Sequence, residues 1–245
     1  MTNGFHVKKG VLVKFNARQC YSNFNDLHVP EGITEIGREA FRQCADEDDD
    51  FCGVYGLVKV TLPTTCTVIG SGAFYSCQHL REVKCLAKLE SLGIGSFSDC
   101  NKLESCVEIP ENQDFIPDHL YDRCGMSCVR LPDHVKTIGY SSFYDIVNLT
   151  NLDLNKVEVI GSEAFFHCNL AQGLILPETV KEVCSKAFEW ANPPFLEIKN
   201  INTKIADDAF SDVCTVTTIY VPKGFEVPQN LWGMSNTEDV KIIER

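Results

Sequence analysis

The chain has 245 residues, of which 44% are hydrophobic and 23% charged, the ordinary balance of a soluble globular protein. Its net charge is −12 and no basic stripe is evident, so neither nucleic acid nor an anionic membrane is an expected partner. No apolar run of about 18 residues occurs, so no membrane-spanning helix is predicted.

In chain order, residues 1–26 form a lead-in that contains FHVKKGVLVKF (5–15). Residues 27–222 then repeat one short motif eight times: IGREAFRQC, IGSGAFYSC, LGIGSFSDC, IPDHLYDRC, IGYSSFYDI, IGSEAFFHC, VCSKAFEWA and IADDAFSDV. Its aromatic residue is Phe41, Phe74, Phe97, Tyr121, Phe143, Phe165, Phe188 and Phe210, at steps of 33, 23, 24, 22, 22, 23 and 22. A fixed period of roughly 20 to 50 residues signals a solenoid, in which each coil buries its apolar side only against its neighbours. The long first step contains an acidic insertion, ADEDDDFCGVYG (45–56). Residues 223–245, ending in VKIIER, read as a closing segment.

Each motif position has a physical reading. The first is always aliphatic, from Ile36 to Ile205, and glycine follows it in five copies, which fits a bend or a close backbone approach. A small residue precedes the aromatic in seven copies, so a tight helical turn is expected to drop the ring into the core. The last position holds Cys44, Cys77, Cys100, Cys124 and Cys168, and elsewhere Ile146, Ala191 and Val213, so it reads as a small buried apolar slot. Between motifs, VKVTLP (58–63), LREVKCL (80–86), CVRLP (128–132), LTNLDL (149–154), GLILP (173–177) and TIYVP (218–222) alternate apolar and polar residues, the pattern of short strands. Several end in proline, which cannot donate to a ladder. The pattern weakens in copy four, with Pro117, Leu120 and Tyr121, and in ANPPFLEIKN (191–200), which blurs the strand of copy seven. A ladder of stacked aromatic rings is the expected spine.

These residues resemble the BspA-like leucine-rich repeats, whose pattern is close to C-x-x-L-x-x-I-x-L-P-x-x-V-x-x-I-G-x-x-A-F, over about residues 27–222. The lead-in FHVKKGVLVKF, the segment IYVPKGF (219–225) and the closing VKIIER resemble that family's end caps. The resemblance implies a single leucine-rich-repeat solenoid over 1–245, of α/β class, built mostly of short strands with short helical turns. It further implies a curved right-handed horseshoe of about eight to nine coils. It also implies an interaction or adhesion protein.

No motif of metal, nucleotide or triad chemistry occurs, and the six histidines are scattered, so no enzyme, metal or cofactor is expected. A cysteine-dependent enzyme is the minor alternative. The run Asp46–Asp50 lacks the calcium-loop spacing and reads as a solvated insertion. Thirteen cysteines without a C-x-x-C pair, together with a start lacking an apolar signal region, read as a cytoplasmic chain with reduced thiols. The alternative is a secreted or cell-surface adhesin whose leader was removed, contacting host matrix. Function is expected on the concave strand face, as a scaffold for a protein or extended ligand. Its outward row is Thr61, Lys84, Glu108, Arg130, Asp153, Ile175, Lys199 and Tyr220, and a second row runs Lys59, Glu82, Cys106, Cys128, Asn151, Gly173, Glu197 and Thr218.

Overall fold

The structure, a computed structural model, describes residues 4–16, 26–42, 57–104 and 106–245. The acidic insertion, Asp46–Asp50 within it, and Cys20, Cys44 and Cys52 lie outside the described residues. Two compact units are present. Unit 1 comprises Met1–Gln113 with His119–Met126, and unit 2 comprises Asp114–Asp118 with Ser127–Arg245.

Both units are β-solenoids, in which successive coils contribute strands to parallel ladders. Unit 1 has one ladder of β1 (Phe5–Lys8), β2 (Val11–Phe15), β4 (Glu35–Ile36), β6 (Val68–Ile69) and β8 (Ser91–Leu92), and a second of β3 (Leu27–His28), β5 (Lys59–Leu62) and β7 (Glu82–Cys85). In unit 2, β9 (Phe115–Ile116), β11 (Thr137–Ile138), β13 (Val159–Ile160), β15 (Glu182–Val183) and β17 (Lys204–Ile205) form the motif ladder. There β10 (Cys128–Arg130) pairs with β12 (Asn151–Asp153), and β14 (Leu174–Leu176), β16 (Phe195–Ile198), β18 (Thr218–Val221) and β19 (Lys241–Glu244) form the third ladder. Only β1 departs from parallel pairing among these strands: it runs antiparallel to β2, with a bulge between His6 and Val7.

The expected helical turn is instead a left-handed one. The residue two before the aromatic has positive φ in seven of eight copies, for example Glu39 (53°), His119 (55°) and Lys186 (57°). The residue two after it does so in every described copy, from Ser76 (59°) to Asp212 (58°). This alternation prevents a helix and aims three backbone N–H groups along the stack. In one coil, Glu163 N–H donates to Ser185 O (3.2 Å), Phe165 N–H to Ala187 O (2.8 Å) and His167 N–H to Glu189 O (2.8 Å). Each left-handed residue costs about 1–2 kcal/mol, and each hydrogen bond returns about 1 kcal/mol. The two nearly cancel, so the turn persists only against a neighbouring coil.

Close approach explains the glycine after the aliphatic. A Cβ on Gly161 would sit 2.5 Å from Ile138 O, inside any real contact distance. Ser142, in the small position before the aromatic, is accommodated because its hydroxyl donates to Gly139 O at 2.7 Å.

The rings stack as the period predicts. In unit 1 the centroids of Phe41, Phe74, Phe97 and Tyr121 lie 4.8, 5.4 and 5.7 Å apart, within 10° of parallel. In unit 2, Phe143, Phe165, Phe188 and Phe210 repeat this at 5.2, 5.3 and 5.2 Å. The ladder also extends past the eight copies. Phe15 and Phe5 continue it with tilted rings in unit 1, and Trp232 closes it in unit 2, 6.1 Å from Phe210 at 55°.

The thiol slot is buried, as expected, but it is not purely apolar. The thiols of Cys100, Cys124 and Cys168 donate to the carbonyls of Phe74, Phe97 and Phe143, the aromatic one coil earlier, each at 3.1 Å. Burial pushes Cys168 up to about 12 and raises Cys100 and Cys124 as well.

Copy four is irregular because side chains make hydrogen bonds that strands make elsewhere, although its motif strand β9 forms and pairs with β11. Residues 106–110 form no strand. The backbone of Val107 is satisfied by Tyr121, whose hydroxyl oxygen accepts from Val107 N–H (2.9 Å) and donates to Val107 O (3.1 Å). The carboxamide of Gln113 accepts from Leu92 N–H at 3.1 Å and donates to Leu92 O at 3.4 Å, standing in for a strand beside β8. Tyrosine replaces phenylalanine where the ring must also close a hydrogen-bond gap. Copy seven, by contrast, is regular. Pro193 and Pro194 precede β16, which pairs with both β14 and β18, so the expected blurring is corrected.

Three outcomes follow from this packing. Phe165→Ala should destabilise by about 3–5 kcal/mol, measured by denaturant unfolding. Tyr121→Phe should cost about 1–3 kcal/mol, because it strands both Val107 backbone groups; an unchanged midpoint would contradict the role given to the hydroxyl. At mildly alkaline pH, iodoacetamide should modify exposed Cys128 and Cys214 and spare Cys100, Cys124 and Cys168 until unfolding, as read by peptide mass spectrometry.

Candidate functional site

Successive side chains of a strand point to opposite faces, so parallel register aligns outward residues of neighbouring coils into rows. In unit 1, β5 and β7 pair Lys59 with Glu82 and Thr61 with Lys84. Lys59 and Glu82 form an ion pair at 3.0 Å, and the hydrogen bond to that carboxylate raises the Lys59 pKa. Lys84 is exposed, whereas Thr61, beside it in the register, is only 8% exposed and so offers little accessible surface to the row. Glu108 is exposed yet lies on no strand.

In unit 2, β10 and β12 set Arg130 beside Asp153, with 3.5 Å between Nε and Oδ2. Both are well exposed, and such a surface pair contributes at most about 1 kcal/mol, so a partner's charges can re-pair it cheaply. Ile175 on β14 is 41% exposed. The register continues from Ile175 to Glu197, Tyr220 and Ile243. Lys199 therefore stands outside the row: it lies past the end of β16, where its N–H donates to Leu176 O at 3.1 Å. The assignment slipped by two residues because prolines 193 and 194 obscure where the strand begins. Glu197 replaces Lys199 in the first row, and Phe195, paired with Thr218, takes the second.

Two residues of this face were not found from sequence. Arg245 lies over the Tyr220 ring at 3.6 Å and 3.6 Å from Glu197 Oε1. Ile243 is 40% exposed beside Tyr220. Ile243 could have been found by continuing the alternation into VKIIER; Arg245 carried no signal, since its contacts come from the other coils. Ile175, Glu197, Tyr220, Ile243 and Arg245 together make a mixed apolar and charged surface across β14–β19.

Among the described residues no three His, Cys, Asp or Glu converge as metal ligands. His167 lies on an exposed turn, hydrogen-bonded through Nδ1 to Asp145 at 2.6 Å. A thiol nucleophile needs a lowered pKa, whereas burial raises Cys66, Cys85 and Cys184, Cys85 to about 12. No helix among the described residues is long and apolar enough to cross a membrane.

The family profile for BspA type leucine-rich repeat regions matches six copies, over residues 15–49, 47–124 and 114–238. No curated protein matches the chain. Among solved structures, it is similar to a leucine-rich repeat protein from Bacteroides ovatus, with TM-score 0.54 and 16% identity over 90% of this chain and 69% of that one. It is also similar to a leucine-rich repeat protein from Eubacterium ventriosum, with TM-score 0.57 and 19% identity over 89% of this chain and 60% of that one. The chain thus spans only about three fifths of the second protein's length. The aromatic ladder, the repeated turn and the matched copies agree, and the chain belongs to the BspA-type leucine-rich repeat family.

Proposed function

We propose that the chain is a non-catalytic scaffold that binds a protein or extended ligand through its strand face. The observation that carries this reading is the aligned surface of β14–β19, where Ile175 and Ile243 are exposed beside Glu197, Tyr220 and Arg245. Arg130 and Asp153 extend the reading to β10 and β12, and Lys84 to the strand ladder of unit 1. Aromatic, arginine and aliphatic residues around a defined patch are the composition of a binding hot spot. Glu108 and Lys199, both exposed, are peripheral charges in this reading. A reducing compartment suits the thiol-rich slots, and intact-mass measurement of native protein free of disulfides would accord with it.

The test is a pull-down with the full chain, followed by binding measurements on the partner recovered. Alanine at Arg130, Asp153, Ile175 and Tyr220 together should weaken that interaction by about 100-fold or more, since each hot-spot residue contributes about 1 kcal/mol or more. Unchanged affinity with an intact fold would overturn the strand-face reading.

A further inference from the structure

The third ladder of unit 2 has β19 as its outermost strand. It pairs on one side with β18, and all four of its residues are exposed. The register places Ile242 in the inward row of Leu174, Leu196 and Ile219. Those three are at most 1% exposed, whereas Ile242 is 49% exposed. The core row therefore runs out to solvent at its last member. The turn side differs: buried Trp232 closes the aromatic ladder there.

The backbone of β19 is open as well. Lys241 N–H donates to Thr217 O and Arg245 N–H to Val221 O, each at 3.0 Å, so the odd-numbered residues are turned to β18. In a parallel ladder the intervening residues are turned the other way. The N–H and C=O of Ile242 and Glu244 thus face the open side, where they are a template for another strand.

A second copy of β19 matches this template in one register. Antiparallel pairing sets outward-turned residues opposite one another, so a twofold axis can pass at Ile242, Ile243 or Glu244. At Glu244 it would oppose two carboxylates. At Ile243 it would oppose Lys241 to Arg245 of the second copy, and like charges directly opposite destabilise a pair. At Ile242 neither occurs. There the two Ile242 residues exchange both backbone hydrogen bonds, the two inward rows meet isoleucine to isoleucine, and the stem of Lys241 lies against Ile243 of the second copy. Charge also permits this contact. Residues 223–245 hold three basic and four acidic side chains, a net of −1 in a chain of −12. Two such ends meet with little of the repulsion carried by the rest of the chain.

We propose that β19 is a self-association edge, at which two copies of this chain pair antiparallel about a twofold axis at Ile242. The contact uses the same residues of both copies, so it closes at two. It is made by the strand edge rather than the strand face, so it stands or falls apart from the scaffold reading.

The experiment is sedimentation velocity of the full chain under reducing conditions, which exclude a disulfide through exposed Cys128 or Cys214. As concentration rises through the micromolar range, monomer should give way to dimer and to nothing larger. Hydrogen exchange at the amides of Ile242 and Glu244 should slow as the dimer fills. Ile242→Pro removes a donor turned to the open side, a place where an edge strand tolerates proline. It should weaken the dimer about tenfold or more, since both central hydrogen bonds are lost. Ile242→Arg, which sets two guanidinium groups at the axis, should do the same and decides the matter if the proline variant fails to fold. Arg130→Ala and Ile175→Ala should leave the dimer unchanged. The proposal fails if the chain stays monomeric throughout, which would leave the edge to a foreign strand. It also fails if the dimer survives both Ile242 variants, if the two amides exchange as they do in the monomer, or if larger species accumulate.

Discussion

Within each unit, the described coils are spaced by the hydrogen bonds that one coil's turn makes to the next. Around Phe74, Phe143 and Phe165 three N–H groups reach the following coil, and around Phe97, Phe188 and Phe210 two do, which fixes a separation close to that of paired strands. Ring stacking at 4.8 to 5.7 Å is then a consequence of backbone geometry rather than its cause, since isolated aromatic pairs favour offset or edge-on contacts. The same spacing brings Ile138 O against Gly161, and carries the thiols of Cys77, Cys100, Cys124 and Cys168 to the carbonyl of the preceding aromatic. Where the pattern fails in copy four, Tyr121 and Gln113 supply the missing donors and acceptors from their side chains.

The spine was legible because it is encoded by residue type: only a large ring fills the position, and its recurrence gives the period. Trp232 lies 22 residues beyond Phe210, yet VPQNLW departs from the common motif, with Pro228 and Leu231 where other copies hold glycine and alanine. Copy four, IPDHLY, makes the same two substitutions and still stacks its ring. The left-handed turn was not legible. Its positions accept Glu, His, Ser, Lys, Arg, Asp and even Trp190, because the ladder imposes the conformation and local propensity does not. On the strand face, the alternation located Arg130, Asp153, Ile175 and Tyr220 and set Glu197 one row off, whereas its row needed the pairing register and Arg245 a contact made across coils.

A repeat of this kind divides labour by position. Residues that pack are constrained in every coil, so variation collects at the outward strand positions and at the turn. Strand rows offer a broad, aligned surface, and the turns offer a second one.

The antiparallel strand β1 has a consequence for self-association. A ladder of parallel strands can be lengthened by any chain of matching period, including another copy of the same protein. At the β1 edge the direction reverses, the pairing is bulged at His6–Val7, and charged Lys8 is exposed. Those are the devices by which sheets blunt an open edge. Propagation of the stack into filaments is thereby discouraged at this edge.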